Sequence, residues 1–567
     1  MREYKKYAWL GLLCIGVEVV LEITVPLLMA DLIDYGVTNA DGTYIIKKGL
    51  QMALCAVLAL ILGVGSAKFS ALAGQGLGAN IRKAEYEKLQ SYSFSNIDHF
   101  SVSSLVTRLT SDVTNIQNAV STGMRPFGRS PVMLIFATSF AFRINSTLAL
   151  VFLVALPTLA VLLILIIINV GPLYGRMQSA IDQVNRCIQE NLTAIRVVKS
   201  YVRGDYEVEK FGVVNENLKS ESEKAFGTAV LNMPAMQFVM YGTILGILLI
   251  GGRLINEGQM MIGQLTSFLS YVLLILNSLM MMSNVFLLMT RSLASAERIM
   301  EVIDEKIDIT DENAKDIAVA KGEIEFDHMW FKYKDTAKEY VLSDVSFHIK
   351  PGQTVGIIGQ TGSSKTTLVQ LIPRLYDVTK GEVKIDGINV KEYPVRHLRD
   401  AVAMVLQKNT LFSGSLIDNL RWGNENATLD EIKEACQIAC VDEFVDRLAD
   451  GYDTEMGQEG VNVSGGQKQR ICIARAILKK PKVLILDDST SAVDTATEAK
   501  IRSGLAEKLP DMTKIIIAQR ISSVRHADQI IIMDRGHVEA IGTHESLLRD
   551  NQIYQEIYAS QKEGADL

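Results

Sequence analysis

The sequence Gly359-Gln360-Thr361-Gly362-Ser363-Ser364-Lys365-Thr366 decides the fold of the second half of the chain. It follows the apolar run Thr354–Ile358 and precedes Thr367–Ile372, so the predicted order is strand, glycine-containing loop and helix. This order is typical of a P-loop, in which backbone N–H groups and the following helix N-terminus bind phosphate oxygens. In such a loop Lys365 reaches the β- and γ-phosphates, and the Thr366 hydroxyl binds Mg²⁺.

One position of this loop departs from the P-loop pattern. The glycine that directly precedes the lysine in G-x-x-x-x-G-K-[ST] is Ser364 in this chain. A glycine turn that enters a helix by chance is the alternative interpretation, so the loop needs support from other motifs. The cost of the serine depends on the φ angle of residue 364, because positive φ strains a residue with a Cβ.

Composition divides the 567-residue chain into unlike parts. Long apolar runs fill residues 1–295, a segment rich in Glu, Asp and Lys covers 296–320 as a linker, and 321–567 resembles a soluble α/β domain in composition. The net charge of −7 gives no reason to expect nucleic acid as a partner. The scattered cysteines indicate no disulfide framework, and we interpret Cys436 and Cys440 as buried thiols because no second ligand pair accompanies them.

Six apolar segments are long enough to cross a bilayer, which takes about 20 residues. They are Ala8–Met29, Ile46–Leu77, Gly123–Phe142, Leu148–Val170, Ala229–Ile255 and Ile262–Leu288. Short loops alternate with long polar helical stretches between them, and the basic residues are concentrated in the two long stretches. The positive-inside rule therefore places these stretches and both termini in the cytoplasm. The first segment is too long for a signal peptide and lacks a small-residue cleavage site, so we interpret it as a span.

Two acidic residues, Glu18 and Glu22, lie four positions apart in the first predicted span and therefore on one helical face. An ionisable pair at this depth is costly, and we expect it to face the bundle interior or a watery cavity. Two interpretations stay open: a substrate cavity that attracts cations, or a structural pair hydrogen-bonded to neighbouring helices. In the sixth segment Met280, Met281 and Met282 suit an adaptable binding surface, although packing is the more frequent role of methionine.

From residue 324 onward, alternating strand and helix patterns predict a doubly wound α/β core. Tyr333 follows an early strand, where its ring would stack on an adenine. Gln407 follows another strand, where its amide would contact Mg²⁺ or water beside the γ-phosphate. The stretch Ser464-Gly465-Gly466-Gln467 opens a helix and forms a second anion-binding N-terminus.

A buried strand, Val483–Asp487, ends in the carboxylate that a Mg²⁺-binding strand requires. Asp488 comes next, at the position where a glutamate normally orients the attacking water. Asp494 follows in the turn Ser491–Asp494, and Gln519 follows the strand Ile515–Ala518.

In this order the motifs resemble an ABC transporter nucleotide-binding domain, and six spans with two long cytoplasmic loops resemble an ABC half-exporter. The resemblance covers nearly the whole chain, and the start of the Ser464 helix is its most specific motif because other P-loop proteins lack it. It implies an α-helical transmembrane domain, an α/β P-loop ATPase domain, and a dimer in which each ATP lies between one P-loop and the partner's signature motif, here Ser464, Gly465, Gly466 and Gln467.

The resemblance also assigns roles to residues. The ATP contacts it implies are Tyr333, Gly359, Gln360, Thr361, Gly362, Ser363, Ser364, Lys365, Thr366, Thr367 and Gln407. The Mg²⁺ ligands it implies are Thr366, Gln407 and Asp487, with Asp494 in the D-loop. The turns near Ser101–Val106 and Gly204–Lys210 would be the coupling helices.

Three departures from the family pattern cluster around one nucleotide. Ser364 replaces a glycine, Asp488 replaces the catalytic glutamate, and Gln519 replaces the switch histidine; His526 lies in a different turn. An aspartate carboxylate ends about 1 Å or more short of where a glutamate reaches the water. Glutamine can bond the γ-phosphate but does not become a cation near neutral pH as histidine does.

These departures resemble the weak-site subunit of heterodimeric bacterial ABC exporters, many of them multidrug pumps. The resemblance implies ATP-driven export of small amphipathic molecules or drugs across the cell membrane, with a second half-transporter as partner and membrane lipids around the spans. The chain's own P-loop would then bind ATP well and hydrolyse it slowly. The alternatives are a homodimeric lipid or peptide exporter and an ATP-gated channel or regulator.

Overall fold

The computed structural model describes residues 3–334 and 336–563 of the chain. It contains two compact units. The helical unit is Met1–Lys88 with Ser103–Asp304, and the α/β unit is Leu89–Val102 with Glu305–Leu567. The segment Leu89–Val102 therefore packs with the α/β unit, although the residues on both sides of it belong to the helical unit.

Long helices make up the helical unit. Up to residue 304 the helices are α1 (Lys5–Asp31), α2 (Gly42–Gln90), α3 (Phe94–His99), α4 (Val102–Thr107), α5 (Val113–Ser121), α6 (Met124–Ile144), α7 (Ser146–Thr193), α8 (Ile195–Ser200), α9 (Gly204–Val230), α10 (Asn232–Asn256) and α11 (Ile262–Asp304). Two π-helical turns, Leu32–Val37 and Arg108–Asp112, follow α1 and α4. Helix α3 alone lies wholly in the segment that joins the α/β unit.

All six predicted spans fall on helices, namely α1, α2, α6, α7, α10 and α11, but the fifth is interrupted at Leu231 between α9 and α10. Among the described residues, four stretches are long and apolar enough to cross a membrane. They are Lys5–Val37, Gly42–Gln90, Gly204–Asn256 and Ile262–Met282, and a shorter apolar stretch, Ser146–Leu162, begins α7. Helix α6 carries Arg125, Arg129 and Arg143, which lowers its hydropathy. The number six stays a prediction.

The predicted linker 296–320 begins later than expected, because α11 continues to Asp304. Ile299 and Val302 are buried in this continuation and lie three positions apart, so the apolar stripe of the helix persists. The charged residues of this segment hid that stripe, and composition alone marked the helix end too early.

Apolar residues at every fourth position bring α1, α6 and α11 together, because that spacing places side chains on one helical face. The stripes are Ile15, Val19 and Ile23 on α1 and Met133, Ala137 and Ala141 on α6. From α11, the Tyr271 hydroxyl donates to the Ile23 carbonyl at 2.7 Å, and the Ser267 hydroxyl donates to the Pro26 carbonyl. These bonds join α11 to α1 in the turn that contains Pro26.

Glu85 on α2 is fully buried, and neither of its carboxylate oxygens has a hydrogen-bond partner within the described part of the chain. A buried carboxylate without hydrogen bonds costs about 1–3 kcal/mol or more. We therefore expect Glu85→Met to raise the thermal melting temperature of the purified protein. Glu87→Met is the matched control, because Glu87 is exposed and its pair with Lys83, at 3.8 Å, contributes little. A lower melting temperature for Glu85→Met alone would contradict this account.

The strands all lie in the α/β unit. They are β1 (Ile324–Phe331), β2 (Leu342–Ile349), β3 (Thr354–Ile358), β4 (Lys380–Ile385), β5 (Ile388–Asn389), β6 (Val402–Val405), β7 (Gly414–Ser415), β8 (Glu455–Met456), β9 (Val483–Asp487), β10 (Thr513–Ile517), β11 (Gln529–Asp534) and β12 (His537–Gly542). Strand order is β2-β1-β4-β5 in one sheet and β12-β11-β3-β10-β9-β6 in a larger one, and β7 pairs with β8.

Besides α3, the α/β unit also contains helices, several of which alternate with strands as the sequence pattern predicts. They are α12 (Lys365–Gln370), α13 (Val395–Ala401), α14 (Leu416–Arg421), α15 (Leu429–Ile438), α16 (Asp442–Val445), α17 (Gly465–Leu478), α18 (Thr495–Lys508), α19 (Ile521–Val524), α20 (His544–Asp550) and α21 (Gln552–Glu563). In the larger sheet β11, β3, β10, β9 and β6 are parallel and β12 is antiparallel. Both faces of its central strands are buried, which explains their continuous apolar sequences.

Candidate nucleotide-binding site

The carboxyl ends of the parallel strands form the edge where the predicted site residues meet. The P-loop follows β3, Asp487 is the last residue of β9, and Gln519 lies just after β10, which separates those two strands. In open α/β sheets ligands bind at this edge, outside the carboxyl ends of the strands. The topology therefore brings together three motifs that are far apart in sequence.

Within the P-loop, the Lys365 ammonium lies over the loop backbone. It donates to the carbonyl oxygens of Gly359 and Gln360, each at 2.8 Å, and to the Ser363 hydroxyl at 3.1 Å. Burial lowers the pKa of Lys365, and the nearby Asp487 carboxylate opposes that shift. The amine is thus held at the loop by neutral acceptors that a phosphate can replace.

Ser364 has φ of 68° and ψ of 25°, a left-handed conformation. An L-residue with a Cβ pays roughly 1–2 kcal/mol in this region, whereas glycine adopts it freely. Gly362 in the same loop also has a positive φ, of 88°. The serine at this position is therefore strained where a glycine would not be.

Thr366 and Asp487 form the next part of the site. The Thr366 hydroxyl donates to Oδ1 of Asp487 at 3.0 Å, while the buried Oδ2 has no hydrogen-bond partner among the residues described. Burial raises the pKa of Asp487, and the bond from Thr366 opposes that shift. A hydroxyl beside a carboxylate with one unsatisfied oxygen is a donor set that suits a hard divalent cation.

Two of the three departures contact each other. The Gln519 side-chain amide donates to Oδ2 of Asp488 at 2.9 Å. Asp488 itself has a positive φ of 48°, which is uncommon for a residue other than glycine. On the other side, the Gln561 amide of α21 donates to the Gln519 carbonyl and accepts from the Ile521 N–H, both at 2.8 Å. Residue 519 is thus held by both its side chain and its backbone.

The helix start Ser464–Gln467 forms a capping box at the N-terminus of α17. The Ser464 hydroxyl accepts from the Gln467 N–H at 3.3 Å, and the Gln467 side chain accepts from the Ser464 N–H at 2.8 Å. A Cβ on Gly466 would lie 2.7 Å from the Ala492 carbonyl oxygen, so only glycine fits there. Ser464 and Gly465 are exposed, which leaves this N-terminus open to a ligand.

Gln469 connects this helix to the turn that contains Asp494. Its side chain accepts from the Ala492 N–H at 3.0 Å and donates to the Ser491 hydroxyl at 3.3 Å. Asp494 caps α18 by accepting from the Thr497 N–H at 2.9 Å. Gln469 lies two residues after the signature motif.

Tyr333 lies two residues past β1 and is 44% exposed. Its hydroxyl shares a hydrogen bond with the Thr367 hydroxyl at 2.9 Å, which places it beside the P-loop. Its ring meets that of the buried Tyr376 edge to face, at 5.2 Å between centroids. The Tyr376 hydroxyl in turn donates to the Asp98 carboxylate of α3 at 2.6 Å.

Tyr376 and Asp98 were missed in the sequence because 278 positions separate them and neither belongs to a motif. Burial raises the pKa of Tyr376, and the bond to Asp98 adds to the shift. The hydroxyl therefore stays protonated and keeps donating to Asp98 over the physiological pH range.

We expect Tyr333→Ala to weaken ATP binding by about 10-fold or more, because stacking of a base on an aromatic ring contributes about 1–3 kcal/mol. Tyr333→Phe is the matched control, since it keeps the ring and removes only the bond to Thr367. Equilibrium binding of a fluorescent ATP analogue to the purified chain would measure both affinities. Equal losses for the two variants would mean that the hydroxyl, not the ring, holds the nucleotide.

Other predicted residues lie apart from these contacts. Gln407 is exposed beyond the carboxyl end of β6, the neighbour of β9, and no described side chain bonds its amide. His526 is exposed after α19, where its ring accepts from Arg525 at 2.9 Å. Cys436 and Cys440 are buried and free, and no group of three His, Cys, Asp or Glu that could hold a metal occurs among the described residues.

In the helical unit, Glu18 is buried and forms ion pairs with Arg125 and Arg129. Glu22 pairs with Arg129. Sequence reasoning had not identified these arginines as partners. Of the methionines, Met280 packs against the core of the unit, while Met281 and Met282 are each 46% exposed.

The short helices of the two long stretches differ from the predicted coupling turns. The first predicted turn, Ser101–Val106, overlaps α4 but leaves out α3, which begins at Phe94. The second, Gly204–Lys210, is the first two turns of the 27-residue α9, and the short helix is α8, before it. A capping box at Ser93 starts α3, a signal that was available in the sequence.

Known proteins resemble this chain over its whole length. Residues 8–279 match the family model of the ABC transporter transmembrane region, and residues 342–491 match the ABC transporter model. An uncharacterized ABC transporter ATP-binding protein, YfiB of Bacillus subtilis (strain 168), is 38% identical, covering 100% of this chain and 98% of its own. YgaD of the same organism, whose name proposes multidrug export as an ATP-binding/permease protein, is 31% identical over 99% of this chain and 98% of its own.

An ATP-dependent lipid A-core flippase of Pseudomonas putida is 32% identical, covering 98% of this chain and 94% of its own. The structure of a bacterial Atm1-family ABC exporter with ATP bound superposes with a TM-score of 0.83, at 23% identity, over 99% of this chain and 98% of the other. That similarity shows the fold, and the relatives above 30% identity show the family. The chain belongs to the ABC transporter family and is a multi-pass plasma-membrane exporter whose ATPase domain drives transport.

Proposed function

We propose that this chain is the subunit with the slow nucleotide site in a heterodimeric exporter of small amphipathic molecules or drugs. The observation that carries the proposal is the hydrogen bond from Gln519 to Asp488. These residues stand where the family has a histidine and a glutamate. Because the short carboxylate already accepts the amide and the amide cannot become a cation, neither side chain is prepared to activate water.

Nucleotide binding at this site should persist, because Lys365, Thr366 and Asp487 keep their positions in the loop and on β9. Thr366 and Asp487 would hold Mg²⁺, with Gln407 as a further ligand, and the unsatisfied Oδ2 of Asp487 supports this assignment. When bound, the ion supplies positive charge to the β- and γ-phosphate oxygens. The site would then keep ATP for long periods and stabilise the dimer.

The signature motif would serve the other site, which is built on the partner's P-loop. At the exposed start of α17, the backbone N–H group of Gly465 would point at the γ-phosphate bound there, whereas the Ser464 N–H is engaged by the Gln467 side chain. The bonds from Gln469 to the turn before Asp494 keep this surface in place. The intact half of the machinery thus acts on the nucleotide of the partner subunit.

We further propose that the helical unit is the transmembrane domain, that both termini are cytoplasmic, and that α3 with α4 and α8 are the coupling elements. After α8, Tyr201 is 75% exposed and Val202 is 87% exposed. Large apolar side chains at the tip of a helical hairpin favour burial in a second protein. The partner's nucleotide domain is the surface that we assign to them.

Reconstitution of purified subunits tests the proposal. Proteoliposomes are prepared with the chain alone or with the chain and a second half-transporter. The second half-transporter has Glu and His at the positions equivalent to Asp488 and Gln519. We expect ATP turnover and ATP-dependent accumulation of ethidium or rhodamine B from the pair only. Robust turnover and transport by the chain alone would favour a homodimer instead. Ion currents without accumulation would favour an ATP-gated channel.

A lipid substrate is the second candidate, and the identity with a protein named as a lipid A-core flippase is the observation that favours it. A fluorescent lysophospholipid separates the candidates in the same vesicles. Transport of that lipid without transport of the two dyes would favour the lipid exporter.

A further inference from the structure

Four charged side chains meet in the middle of the helical unit. The Arg125 guanidinium of α6 donates to Oε1 of Glu18 at 2.6 Å, and that of Arg129 reaches the same oxygen at 3.3 Å. Arg129 also pairs with Glu22 at 2.6 Å. The two acids of α1 are therefore balanced by two arginines of α6.

These four residues line a cavity of about 790 Å³. Its remaining described walls are mostly apolar, with Leu60 and Val64 from α2 and Leu273 and Leu274 from α11. Small-molecule sites in proteins have volumes of roughly 300–1,000 Å³ and combine apolar walls with a few polar groups. The cavity has the size and lining of such a site.

In this cluster, Oε2 of Glu18 has neither a hydrogen-bond partner nor an ion pair among the described residues. Glu18 is only 3% exposed, and its Oε2 is buried with no hydrogen bond among the described residues, because both arginines approach Oε1. A buried carboxylate oxygen strongly favours a donor from a ligand. The Arg125 side chain is 40% exposed despite its ion pair, so it still has donors free for an anion.

Gly63 of α2 lies close to the Glu18–Arg125 pair. A Cβ at that position would lie 3.1 Å from an Arg125 nitrogen and 3.2 Å from Oε1 of Glu18. The glycine therefore leaves room for the ion pair at the cavity wall. This arrangement is typical of a pre-organised polar binding site and differs from an incidental ion pair on the surface.

The charge balance revises the expectation that Glu18 and Glu22 attract cations. The described lining residues contribute two negative and two positive side chains, so a simple cation gains no net attraction. A ligand that carries both charges can bond the unsatisfied oxygen and the open guanidinium together.

We propose that this cavity binds the headgroup of an amphiphile that carries both a protonated amine with N–H groups and an anionic group. The amine donates to Oε2 of Glu18, the anion accepts from Arg125, and the apolar body lies against α2 and α11. This inference rests on the proposed export function, because the occupant would be the exported molecule. It names a substrate class for this cavity, the amino zwitterions on an apolar body.

Direct binding to the full chain in phosphatidylcholine nanodiscs, without nucleotide, tests the site. The lipid probes share one acyl tail where possible and differ in charge: lysophosphatidylethanolamine, lysophosphatidylcholine, lysophosphatidic acid and sphingosine. We expect lysophosphatidylethanolamine to bind roughly 10–100-fold more tightly than the other three, because it alone offers N–H donors and an anion together. Trileucine is a soluble amino zwitterion. Its binding would show that the site accepts a free molecule, and its failure to bind would show that the site requires a lipid.

Two single variants move the preference in opposite directions. Glu18→Gln should weaken lysophosphatidylethanolamine and strengthen lysophosphatidic acid, because it frees the arginines. Arg125→Gln should weaken lysophosphatidylethanolamine and strengthen sphingosine, because it frees the acids. Arg143→Gln, exposed near the far end of α6, is the matched control and should leave every affinity unchanged. A purely structural ion pair would lower all affinities together.

Several outcomes would overturn the proposal. These are tighter binding of sphingosine than of either zwitterion by the unmodified chain, equal binding of lysophosphatidylcholine and lysophosphatidylethanolamine, or unchanged preferences in both variants. This binding assay uses no ATP. Binding with the expected preference, but without ATP-dependent accumulation in proteoliposomes, would therefore support the proposed site and reject the proposed export function. ATP-dependent accumulation of the dyes, without preferential binding of lysophosphatidylethanolamine, would support the pump and reject the proposed site.

Discussion

Replacing Ser464 with arginine is expected to lower ATP turnover of the assembled pair by at least about 100-fold. The arginine side chain would fill the space in front of the α17 N-terminus, where Ser464 and Gly465 are exposed. The γ-phosphate on the partner's P-loop would then lose the backbone N–H donors of this helix. Steady-state phosphate release from the reconstituted pair measures the effect.

Asp488→Asn in the same pair is the matched control. It keeps the size of the side chain and an oxygen that can accept the Gln519 amide, and it removes only the charge. Turnover should fall by no more than about twofold, since this carboxylate is not the base of the working site. A collapse to background after Asp488→Asn, with turnover retained after Ser464→Arg, would reverse the assignment of the two sites.

Restoring the two departed side chains should create a second working site. In a chain that carries Ser464→Arg, the partner's site is silent, and any turnover must come from this chain's own P-loop. Adding Asp488→Glu with Gln519→His to that background should raise turnover by roughly 10²–10⁴-fold, the usual contribution of a general base and its supporting groups. The contact between the two positions, at 2.9 Å, predicts that both changes are needed together.

Single restorations serve as the controls for this experiment. Asp488→Glu alone leaves the amide of residue 519 without a cationic form, and Gln519→His alone leaves the carboxylate too short. Each should therefore recover much less than the pair. A double variant no faster than the Ser464→Arg chain would show that Ser364, with its φ of 68°, or another feature limits the site. Ser364→Gly added to the same chain would then identify the loop as the cause.

Local sequence carried the motifs well. The P-loop, the helix start at Ser464 and the strand that ends at Asp487 fall where their sequence order predicts, because each depends on neighbouring residues. The left-handed Ser364 is an example of a question that the sequence posed and only the backbone answered. A φ angle is set by the turn around it, and a serine there gives no warning of its own strain.

Contacts between distant residues were beyond the sequence. The arginines of α6 that neutralise Glu18 and Glu22 lie more than 100 positions away, and nothing in α1 indicates their charge or their reach. Likewise α3, which packs with the α/β unit, starts within one of the two long polar stretches, and its composition does not distinguish it from its neighbours. Pairings of this kind follow from helix packing angles and not from composition.

A chain of contacts runs from Tyr333 through Tyr376 to Asp98. The base and the phosphates of a bound nucleotide would therefore act on different parts of the α/β unit. Phosphates would be sensed at the sheet edge by Lys365, Thr366 and Asp487, whereas the base would be sensed by a ring whose neighbour bonds α3. Tripolyphosphate would therefore bind the P-loop without affecting α3. Nucleotides with pyrimidine bases, which stack poorly, would affect α3 only weakly. The choice of nucleotide by this subunit would then depend on how the base acts on α3, and not on the energy of the phosphates.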